Sequence, residues 1–286
     1  MKVVDLFAGA GGFSEGARQA GCEIVWAANH WPDAVQVHLQ NHPKTLHSCQ
    51  DLHQADFTLL PKYDVLLASP ACQGHSRARG ADKPVHDTSR STAWAVISCL
   101  ETTRPKAFIV ENVIEFTAWK MFSVWALAVQ KLGYNMQVNK LNSQDFGVPQ
   151  SRLRVFITGV LQGKPLVLTT PGKTPIPFSS ILDSSAGGWV QVKEKAPSTQ
   201  RQWMLGKKTH GEKFLIAYYG NEKSGRSLNK PIGTITTKER FAFVNGDKMR
   251  MLTIGEYKEG MGFPSSYFLP PSKTKAVKML GLSLIH

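Results

Sequence analysis

The stretch VVDLFAGAGGFSEGARQAG, residues 3–21, predicts a β-strand, a tight turn and an α-helix. Val3 to Phe7 favour a strand, and the glycines at 9, 11 and 12 favour the turn. The small residues that follow favour a helix ending at Gly21. Such a turn offers a nucleotide-like ligand close backbone approach and helix N-terminal donors. Its spacing does not match Gly-x-Gly-x-x-Gly, so a dinucleotide is not favoured.

The same alternation of strand and helix continues to about residue 160. Further strands are predicted at 23–29, 63–70, 106–113, 135–143 and 152–160, and helices at 32–42, 91–105 and 120–134. Because strands that alternate with helices form βαβ units, we expect an α/β fold with a doubly wound, mostly parallel sheet. In such sheets, ligands bind beyond the carboxyl ends of the strands.

The composition changes after the last of these strands. Residues 161–230 are rich in Pro, Gly, Ser and Lys and have no clear periodicity, which predicts a second, small, loop-rich domain. Ordered patterns return at 231–237 and 241–246, a helix is predicted at 251–263, and the segment 275–286 closes the chain. We expect a catalytic α/β domain at 1–160, a second region at 161–230, and a final part at 231–286. Within that part, 231–250 would border the second region and 251–286 would return to the α/β domain.

The charge of the chain is strongly basic. Its 34 Lys and Arg residues outnumber the 21 Asp and Glu residues, giving a net charge of +13, and most of the bases lie from Arg77 onward. A basic second half favours a polyanionic partner such as nucleic acid. Charge alone does not separate that reading from a basic surface that maintains solubility.

The remaining composition indicates a folded protein with no membrane partner. Hydrophobic residues make up 42% of the chain and charged residues 19%, too few charges for a disordered chain. No apolar run approaches the roughly 18 residues of a membrane span. Asp5 interrupts the first apolar stretch, so no signal peptide is predicted. We expect a cytoplasmic monomer, associated with the nucleoid if the source is a prokaryote.

One of the four cysteines has unusual neighbours. The four thiols lie 20 or more residues apart with no zinc-ligand spacing, which favours free and mostly buried thiols and no metal. Cys72, however, follows a predicted strand and precedes His75, Arg77 and Arg79. Because cationic surroundings favour the thiolate, Cys72 is a candidate nucleophile. The full set is Cys22, Cys49, Cys72 and Cys99.

Three polar segments follow predicted strands and should meet at one edge of the sheet. They are GAGG at 9–12, SPACQGHS at 69–76 and ENV at 111–113. Glu111 could donate a proton there, although a strand-end carboxylate also serves as a cap or a salt-bridge partner. A thiolate and a proton donor together suit an electron-poor heterocycle, because addition at one ring carbon makes the next carbon nucleophilic towards a methyl donor.

Together with later segments of the chain, these three segments resemble the motifs of the C5-cytosine DNA methyltransferase family. The resemblance spans nearly the whole chain in the family's motif order, through DLFAGAGGFS (5–14), SPACQGHS (69–76), ENV (111–113), QSRLRVF (150–156), PIGTITT (231–237), MLTIGE (251–256) and MGFPSSY (261–267). It implies a Rossmann-like methyltransferase fold with a target-recognition domain, and methylation of cytosine C5 in DNA, as in restriction-modification. A catalytically impaired relative that only binds DNA and a methyltransferase acting on cytosine in RNA remain alternatives.

The resemblance implies S-adenosylmethionine as cofactor and no metal. Trp31 would pack on the adenine ring and Asp51 would accept a hydrogen bond from the adenine amino group. His30 stands where the family has an acidic residue for the ribose. The implied cofactor-binding set is Phe7, Ala8, Gly9, Gly11, Gly12, His30, Trp31, Asp51 and Pro70.

The resemblance also implies catalytic and DNA-binding residues. Cys72 would add to C6 of a cytosine flipped out of the duplex, and Glu111 would hold and protonate its N3. Arg152 and Arg154 would steady the base and the Cys72 loop. Double-stranded DNA is the implied partner, and a cognate restriction endonuclease is a further candidate. The implied DNA-binding set is Gln73, Ser76, Arg79, Gln150, Thr236, Lys207, Lys208 and Arg226, with phosphate contacts also expected from Lys213 and Lys223.

Four positions depart from the family pattern. They are Ala71 in place of the Pro before the nucleophile, His30 in place of the ribose-binding acid, Gly255 in place of a common Arg, and the ending after Gly281, which differs from Gly-Asn-(Ala or Ser)-Val. The substitution at His30 and the altered ending predict weaker cofactor binding. The nucleophile itself matches the family.

Overall fold

The computed structural model describes residues 1–70, 85–219 and 222–282. These residues form two compact units. The first unit contains residues 1–142 and 153–171, and the second contains residues 143–152 and 172–282. No helix in the described part of the chain is both long and apolar enough to cross a membrane.

The described residues form strands and helices throughout both units. The strands are β1 (Lys2–Leu6), β2 (Glu23–Asn29), β3 (Leu46–Cys49), β4 (Val65–Ala68), β5 (Ala107–Asn112), β6 (Tyr134–Asn142), β7 (Gln150–Ser151), β8 (Leu153–Leu161), β9 (Val190–Gln191), β10 (Lys213–Ala217), β11 (Ile232–Gly233), β12 (Phe241–Asn245) and β13 (Lys248–Met251). The helices are α1 (Gly12–Gln19), α2 (Pro32–Asn41), α3 (Val85–Thr103), α4 (Phe122–Lys131), α5 (Pro197–His210), α6 (Ile254–Gly260) and α7 (Lys273–Leu282).

The first unit is built on a seven-stranded sheet in the order β3-β2-β1-β4-β5-β8-β6. Strands β1 to β5 pair in parallel, whereas β8 lies antiparallel between β5 and β6. Strand β1 is buried from Val3 to Leu6, as expected for a parallel strand covered on both faces. The predicted α/β class with a mostly parallel sheet is confirmed.

The core of the first unit packs the sheet against helices α3 and α4. Trp125 and Tyr134 are fully or almost fully buried, at 0% and 1% exposure. Each satisfies its polar atom, since Trp125 Nε1 donates to the Ala93 carbonyl over 2.9 Å and the Tyr134 hydroxyl donates to the Pro105 carbonyl over 2.8 Å. A buried aromatic ring with a bonded polar tip keeps its apolar stabilisation without an unpaired donor.

The antiparallel contact between β5 and β8 requires a glycine. Phe108 pairs with Gly159 across the two strands. A Cβ atom at 159 would lie 2.0 Å from the Phe108 ring, far inside van der Waals contact. The missing side chain therefore provides the space that the Phe108 ring occupies.

The second unit contains a four-stranded antiparallel sheet in the order β10-β12-β13-β9. Helix α5 packs on β10, where Gly206 allows close approach: a Cβ atom there would lie 2.2 Å from the Phe214 ring. Both elements fall within 161–230, where the sequence predicted loops. Helix α5 begins at Pro197 and is followed by Gly211, which are both common at helix boundaries. Its interior lacks a regular apolar stripe, so the sequence does not predict the helix.

A buried ion pair stabilises the second unit between β13 and α6. Arg250 Nη2 lies 2.6 Å from Glu256 Oε1, and both side chains are 1% exposed. Glu256 also completes a capping box with Thr253 at the start of α6. The Arg250 guanidinium lies beside the contacting rings of Trp189 and Phe243, 5.4 and 5.5 Å from their centroids. Both charges are thus compensated by direct contacts.

The two units divide the chain differently from the predicted domains. Residues 143–152 group with the second unit because β7 pairs with β11, Gln150 opposite Ile232. Residues 251–282, assigned from sequence to the α/β domain, also group with the second unit, where α6 and α7 contact each other.

We predict that Gly159→Ala destabilises the chain by about 1–3 kcal/mol, because the added methyl group overpacks the Phe108 contact. Guanidinium-induced unfolding followed by circular dichroism measures the change. Gly187→Ala is the matched control, since a Cβ atom at 187 meets nothing within 4 Å. Equal stability of the two variants would contradict the proposed contact.

Candidate active site

The predicted cofactor and proton-donor residues lie at one edge of the seven-stranded sheet. The turn at 7–12 follows β1, Trp31 follows β2, Asp51 follows β3 and Pro70 follows β4. Glu111 lies near the end of β5. Because β1 to β5 are parallel neighbours, their carboxyl ends share this edge, which is where α/β sheets bind ligands.

The turn after β1 has a left-handed backbone at Phe7 (φ 60°), Gly9 (φ 55°) and Gly11 (φ 90°). This conformation is unusual for a residue with a side chain, and at Phe7 it stores strain of about 1–3 kcal/mol. The Ala8 amide donates to the Ala28 carbonyl over 3.0 Å, which ties the turn to β2. No side chain caps α1 at Gly11, so the start of this helix presents backbone to the edge.

The ends of β2 and β3 place the Trp31 ring and the Asp51 carboxylate at the same edge of the sheet. Trp31 is half-buried, and its amide donates to Asn29 Oδ1 over 2.9 Å. Asp51 is exposed, and its Oδ1 accepts from the His53 amide over 3.0 Å, which orients the carboxylate. His30 is exposed beside Trp31. An aromatic face, an oriented acceptor and a glycine turn together fit an adenosine-containing ligand.

Four polar side chains, here named the buried polar chain, form a hydrogen-bonded row in the elements that carry these groups. Ser14 Oγ donates to Asp5 Oδ2 over 2.7 Å, and His38 Nε2 lies 3.0 Å from Ser14 Oγ. His38 Nδ1 lies 2.7 Å from His47 Nε2. Asp5, Ser14 and His38 are at most 1% exposed.

Glu111 is paired with a predicted catalytic arginine. Arg154 Nε lies 3.2 Å from Glu111 Oε1, with the two side chains 14% and 8% exposed. The pairing of β5 with β8 sets this contact, because it places Glu111 opposite Phe156, two residues beyond Arg154. The structure thus brings two of the predicted catalytic side chains together.

Asn112 links the end of β5 to the end of β4. Backbone pairing of the two strands ends with Ala68 opposite Val110. Beyond that point, Asn112 Nδ2 donates to the Pro70 carbonyl over 3.2 Å, while Asn112 Oδ1 accepts from the Val113 amide over 2.9 Å. Asn112 is 1% exposed, so both bonds are shielded from water. It fixes the last described residue before the segment that carries Cys72.

Several predicted residues lie outside the described part of the chain. These are Cys72, Gln73, Ser76 and Arg79. Cys22, Cys49 and Cys99 are described and form no disulfide, and burial raises the pKa of the Cys99 thiol to about 11. Among the described residues, no group of three or more His, Cys, Asp or Glu side chains could hold a metal ion.

Gln150 and Arg152 lie in the second unit and hold the segment that precedes Thr236. Gln150 is 1% exposed; its Oε1 accepts from the Ile235 amide over 3.3 Å and its Nε2 donates to the Gly260 carbonyl over 3.3 Å. Arg152 Nη1 donates to the Ile235 carbonyl over 3.2 Å. Both side chains therefore support the backbone next to Thr236, which is itself partly exposed.

The predicted DNA-binding cations differ in their surroundings. Arg226 Nη2 lies 2.9 Å from Glu222 Oε2, and its guanidinium lies 5.4 Å from the Tyr219 ring centroid. Lys207 lies 3.1 Å from Glu212, whose carboxylate raises the pKa of Lys207. The exposed members of the set are Lys208, Lys213 and Lys223.

Comparison with known proteins identifies the family. The family model for C-5 cytosine-specific DNA methylase matches residues 1–285. The chain belongs to this family. The match confirms the family and the enzyme class predicted from the ordered motifs, and it includes every strand end described above.

Curated relatives of this family member are Type II methyltransferases. M.NgoBI of Neisseria gonorrhoeae is 27% identical over 299 residues, covering 99% of the chain and 89% of that protein. M.HhaI of Haemophilus parahaemolyticus is 27% identical over 309 residues, covering 100% and 90%. M.AgeI of Thalassovita gelatinovora is 34% identical over 175 residues, covering 57% of the chain and only 40% of that relative.

Solved structures of methyltransferases share the fold of this DNA methylase. The Dnmt2 methyltransferase of S. pombe gives a TM-score of 0.73 at 19% identity, covering 99% of the chain and 94% of that structure. A DNMT2 variant of Spodoptera frugiperda gives 0.71 at 21% identity, covering 99% and 95%. These similarities support the Rossmann-like methyltransferase fold alone.

Two features of this methylase's site were not predicted from the sequence. Asn112 lies inside the ENV segment, which the sequence places at a strand end. Its bond to Pro70 depends on the pairing of two strands that lie far apart along the chain. The buried polar chain has no local signal, because His38 lies in an ordinary predicted helix and His47 lies in a segment for which the sequence predicts no element. Only the fold brings them beside Ser14.

We predict that Gln150→Leu destabilises the methylase by about 1–3 kcal/mol, because an apolar side chain of similar size leaves the Ile235 amide and the Gly260 carbonyl without their buried partner. Thermal unfolding measures the loss. Gln130→Leu, at an exposed position on α4, is the control and should change stability by less than about 0.5 kcal/mol. A Gln150→Leu protein as stable as the control would contradict the supporting role.

Proposed function

We propose that this chain transfers a methyl group from S-adenosylmethionine to C5 of a cytosine in duplex DNA, through a covalent adduct between Cys72 and C6. The observation that carries the proposal is the family match over residues 1–285. The ion pair between the buried Glu111 and the partly buried Arg154 supports it, because the reaction needs a carboxyl group held in place at the ligand-binding edge.

The cofactor would be held by the edge of the first unit. S-adenosylmethionine supplies an electrophilic methyl group on a sulfonium centre. The turn at 7–12 gives it backbone donors, Trp31 gives its adenine an aromatic face, and Asp51 accepts from its amino group. His30 would bond the ribose hydroxyls, and Pro70 would close the site. An imidazole accepts hydrogen bonds from hydroxyls less strongly than a carboxylate does, so we expect weaker cofactor binding than an acidic residue would give.

The reacting residues would act on a flipped base. The Cys72 thiolate forms a bond to C6, and Glu111 protonates N3, so that the electron pair of the ring reaches C5. C5 then takes the methyl group, with cleavage of the donor's sulfur–methyl bond and release of S-adenosylhomocysteine. A base removes the C5 proton, the bond between Cys72 and C6 breaks to return the thiolate, and the N3 proton returns to Glu111. Arg154 holds Glu111 in place, and Arg152 steadies the backbone beside Thr236. Flipping is required because the faces of a stacked cytosine are covered.

The DNA would be bound by the basic surface of the chain. The net charge of +13 favours a polyanion, and the exposed side chains Lys208, Lys213 and Lys223 are the best placed to contact phosphates. Arg226 and Lys207 already pair with carboxylates, so they would contribute less to phosphate binding. Gln73, Ser76, Arg79 and Thr236 would contact the target strand, with Gln150 supporting Thr236.

The biological setting follows from the same family. Because the curated relatives are Type II methyltransferases, we propose that the chain modifies a specific site in restriction-modification, with a cognate endonuclease as its functional partner. It would act as a cytoplasmic monomer, close to the nucleoid in a prokaryotic cell.

The proposed nucleophile is tested by transfer of a tritiated methyl group to mixed-sequence duplexes. Wild type should label DNA, and Cys72→Ser should lose at least about 1,000-fold in rate while keeping DNA affinity, because a neutral hydroxyl is a far weaker nucleophile than a thiolate. Cys49→Ser, at an exposed thiol, is the control and should retain wild-type transfer. A wild type that binds DNA without transfer would support the impaired relative instead, and preferred transfer to tRNA would support an RNA substrate.

A second experiment tests the covalent step itself. A duplex with 5-fluorocytosine at the target should trap the wild-type protein in a stable adduct, because fluorine blocks the final elimination. Denaturing electrophoresis detects the complex. Adduct formation by Cys72→Ala would mean that a different residue is the nucleophile.

Asn112→Asp tests whether the Pro70 contact supports catalysis. An ionised carboxylate cannot donate to the Pro70 carbonyl and repels it, so the rate of adduct formation should fall about 10- to 100-fold at pH 8. A protonated carboxyl can donate, so the ratio of variant to wild-type rate should rise as pH falls. The buried Asn139, which bonds the Phe156 carbonyl in the same unit, supplies the control Asn139→Asp. A ratio that is constant with pH would contradict the role of Asn112.

A further inference from the structure

The hydrogen bonds of the buried polar chain run in one direction. The Ser14 hydroxyl donates to Asp5, so its oxygen accepts from the Nε2–H of His38. Burial, followed by the charges of His42 and His47, lowers the pKa of His38 well below its ordinary value, so the ring is neutral and its Nδ1 accepts. His47 Nε2 then donates to that nitrogen. Every donor thus points towards Asp5.

Asp5 and Ser14 connect the two elements that flank the glycine turn. Asp5 lies on β1, immediately before Leu6 and Phe7, and Ser14 lies on the first turn of α1, after Gly12. Their 2.7 Å bond therefore closes the strand–turn–helix unit below the turn. A side-chain bond between fully buried groups resists opening more than one exposed to water.

His38 and His47 connect this closed unit to the other two cofactor elements. His38 lies on α2, the helix that begins directly after Trp31. His47 lies on β3, which ends at Cys49, two residues before Asp51. One row of hydrogen bonds therefore joins all of the elements that present the turn, the aromatic ring and the carboxylate.

We propose that the buried polar chain is a positioning device for the cofactor site, setting the placement of the glycine turn, Trp31 and Asp51 and thereby the affinity for the adenosine part of S-adenosylmethionine. The inference rests on the proposed function for its ligand. Asp5, Ser14 and His38 are at most 1% exposed, so they would act through the backbone that they join and not by contact with the ligand. Breaking the row in its middle should therefore weaken cofactor binding without removing any contact group.

Charged and titratable groups surround His38 on each packed element. On α2, the His42 ring centroid lies 4.6 Å from that of His38, and burial lowers the pKa of His42. On α1, Glu15 pairs with Arg18 at 2.7 Å, and both act on His42. The remaining neighbours are His47 on β3, whose pKa is also lowered by burial, and Asp5 on β1, whose pKa burial raises to about 7.

These pKa shifts give a signed prediction for stability. The three histidines at 38, 42 and 47 have lowered pKa values in the folded chain, so they cost stability as pH falls below about 6.5, where the unfolded chain takes up protons. Asp5 acts in the opposite direction, because its raised pKa costs stability as pH rises from about 4 to about 7. His38→Gln should therefore reduce the loss of stability that the histidines cause below pH 6.5, which chemical denaturation at pH 7.5 and pH 5.5 measures in the variant and the wild type.

The decisive experiment measures binding of S-adenosylhomocysteine by calorimetry at pH 7.5, using the full chain. Ser14→Ala removes the middle link with little change in volume and should raise Kd about tenfold. Thr103→Val is the control: it removes a partly buried bond of 2.6 Å to the Tyr63 hydroxyl, in segments outside the cofactor edge. Its Kd should stay within about twofold of wild type.

A second variant keeps the inference testable if Ser14→Ala fails to fold. His38→Gln can retain the bond to Ser14 but loses the bond to His47, so its Kd should rise about threefold to tenfold. Unchanged Kd in the folded variants, or an equal rise in Thr103→Val, would overturn the inference while leaving the proposed function intact. Failure of wild type to bind S-adenosylhomocysteine would instead refute the proposed function, and the inference would fall with it.

Nitrogen-15 spectra of histidine-labelled protein test the row directly. His38 should be neutral at pH 6, and at pH 8, where Asp5 is ionised, its proton should lie on Nε2; Ser14→Ala should weaken that tautomer preference, with the bond to His47 remaining. A merely space-filling role for His38 would leave the tautomer unaffected by the loss of the Ser14 hydroxyl. A protonated His38 at pH 6 in wild type would contradict the donor directions.

Discussion

The antiparallel pairing of β5 with β8 is the constraint on which the described catalytic geometry depends. It sets Glu111 opposite Phe156 and so brings the Arg154 guanidinium to 3.2 Å from the Glu111 carboxylate. Side chains alternate between the two faces of a strand, so a slip of one residue would turn Arg154 away from Glu111. The same register sets Phe108 against Gly159 in the core. Apolar packing at one end of the ladder thereby determines an ion pair at the other.

Much of the first unit could be predicted from the sequence because its signals are local. Apolar runs between polar turns indicated β1, β2, β4, β5, β6 and β8, and β2 has the predicted bounds of 23–29. The ENV segment indicated that Glu111 stands at a strand end. The antiparallel insertion of β8 could not be predicted, because strand direction depends on partners far apart in the chain. The bond between Asn112 and Pro70 depends on the same long-range pairing.

The second unit was harder to predict, for two physical reasons. Helix α5 faces its sheet through Trp203 and the small Gly206, so it shows little apolar periodicity, and β10 is only five residues long. In addition, the net charge of this region does not show which basic side chains form ion pairs. Lys207 and Arg226 increase the net charge as much as Lys208 does, yet both form ion pairs with neighbouring carboxylates. Composition gives the total charge, whereas phosphate binding depends on the basic side chains that are not already paired with carboxylates.

The fit of Phe108 into the space left by Gly159 also constrains how the sequence can diverge. A side chain at 159 would be acceptable only in a lineage whose residue 108 had already become smaller, because the ring and a new Cβ atom would stand 2.0 Å apart. If residue 159 gained a side chain while residue 108 was still Phe, the intermediate protein would have an overpacked core. Substitutions at these two positions are therefore expected to be epistatic, with a fixed historical order.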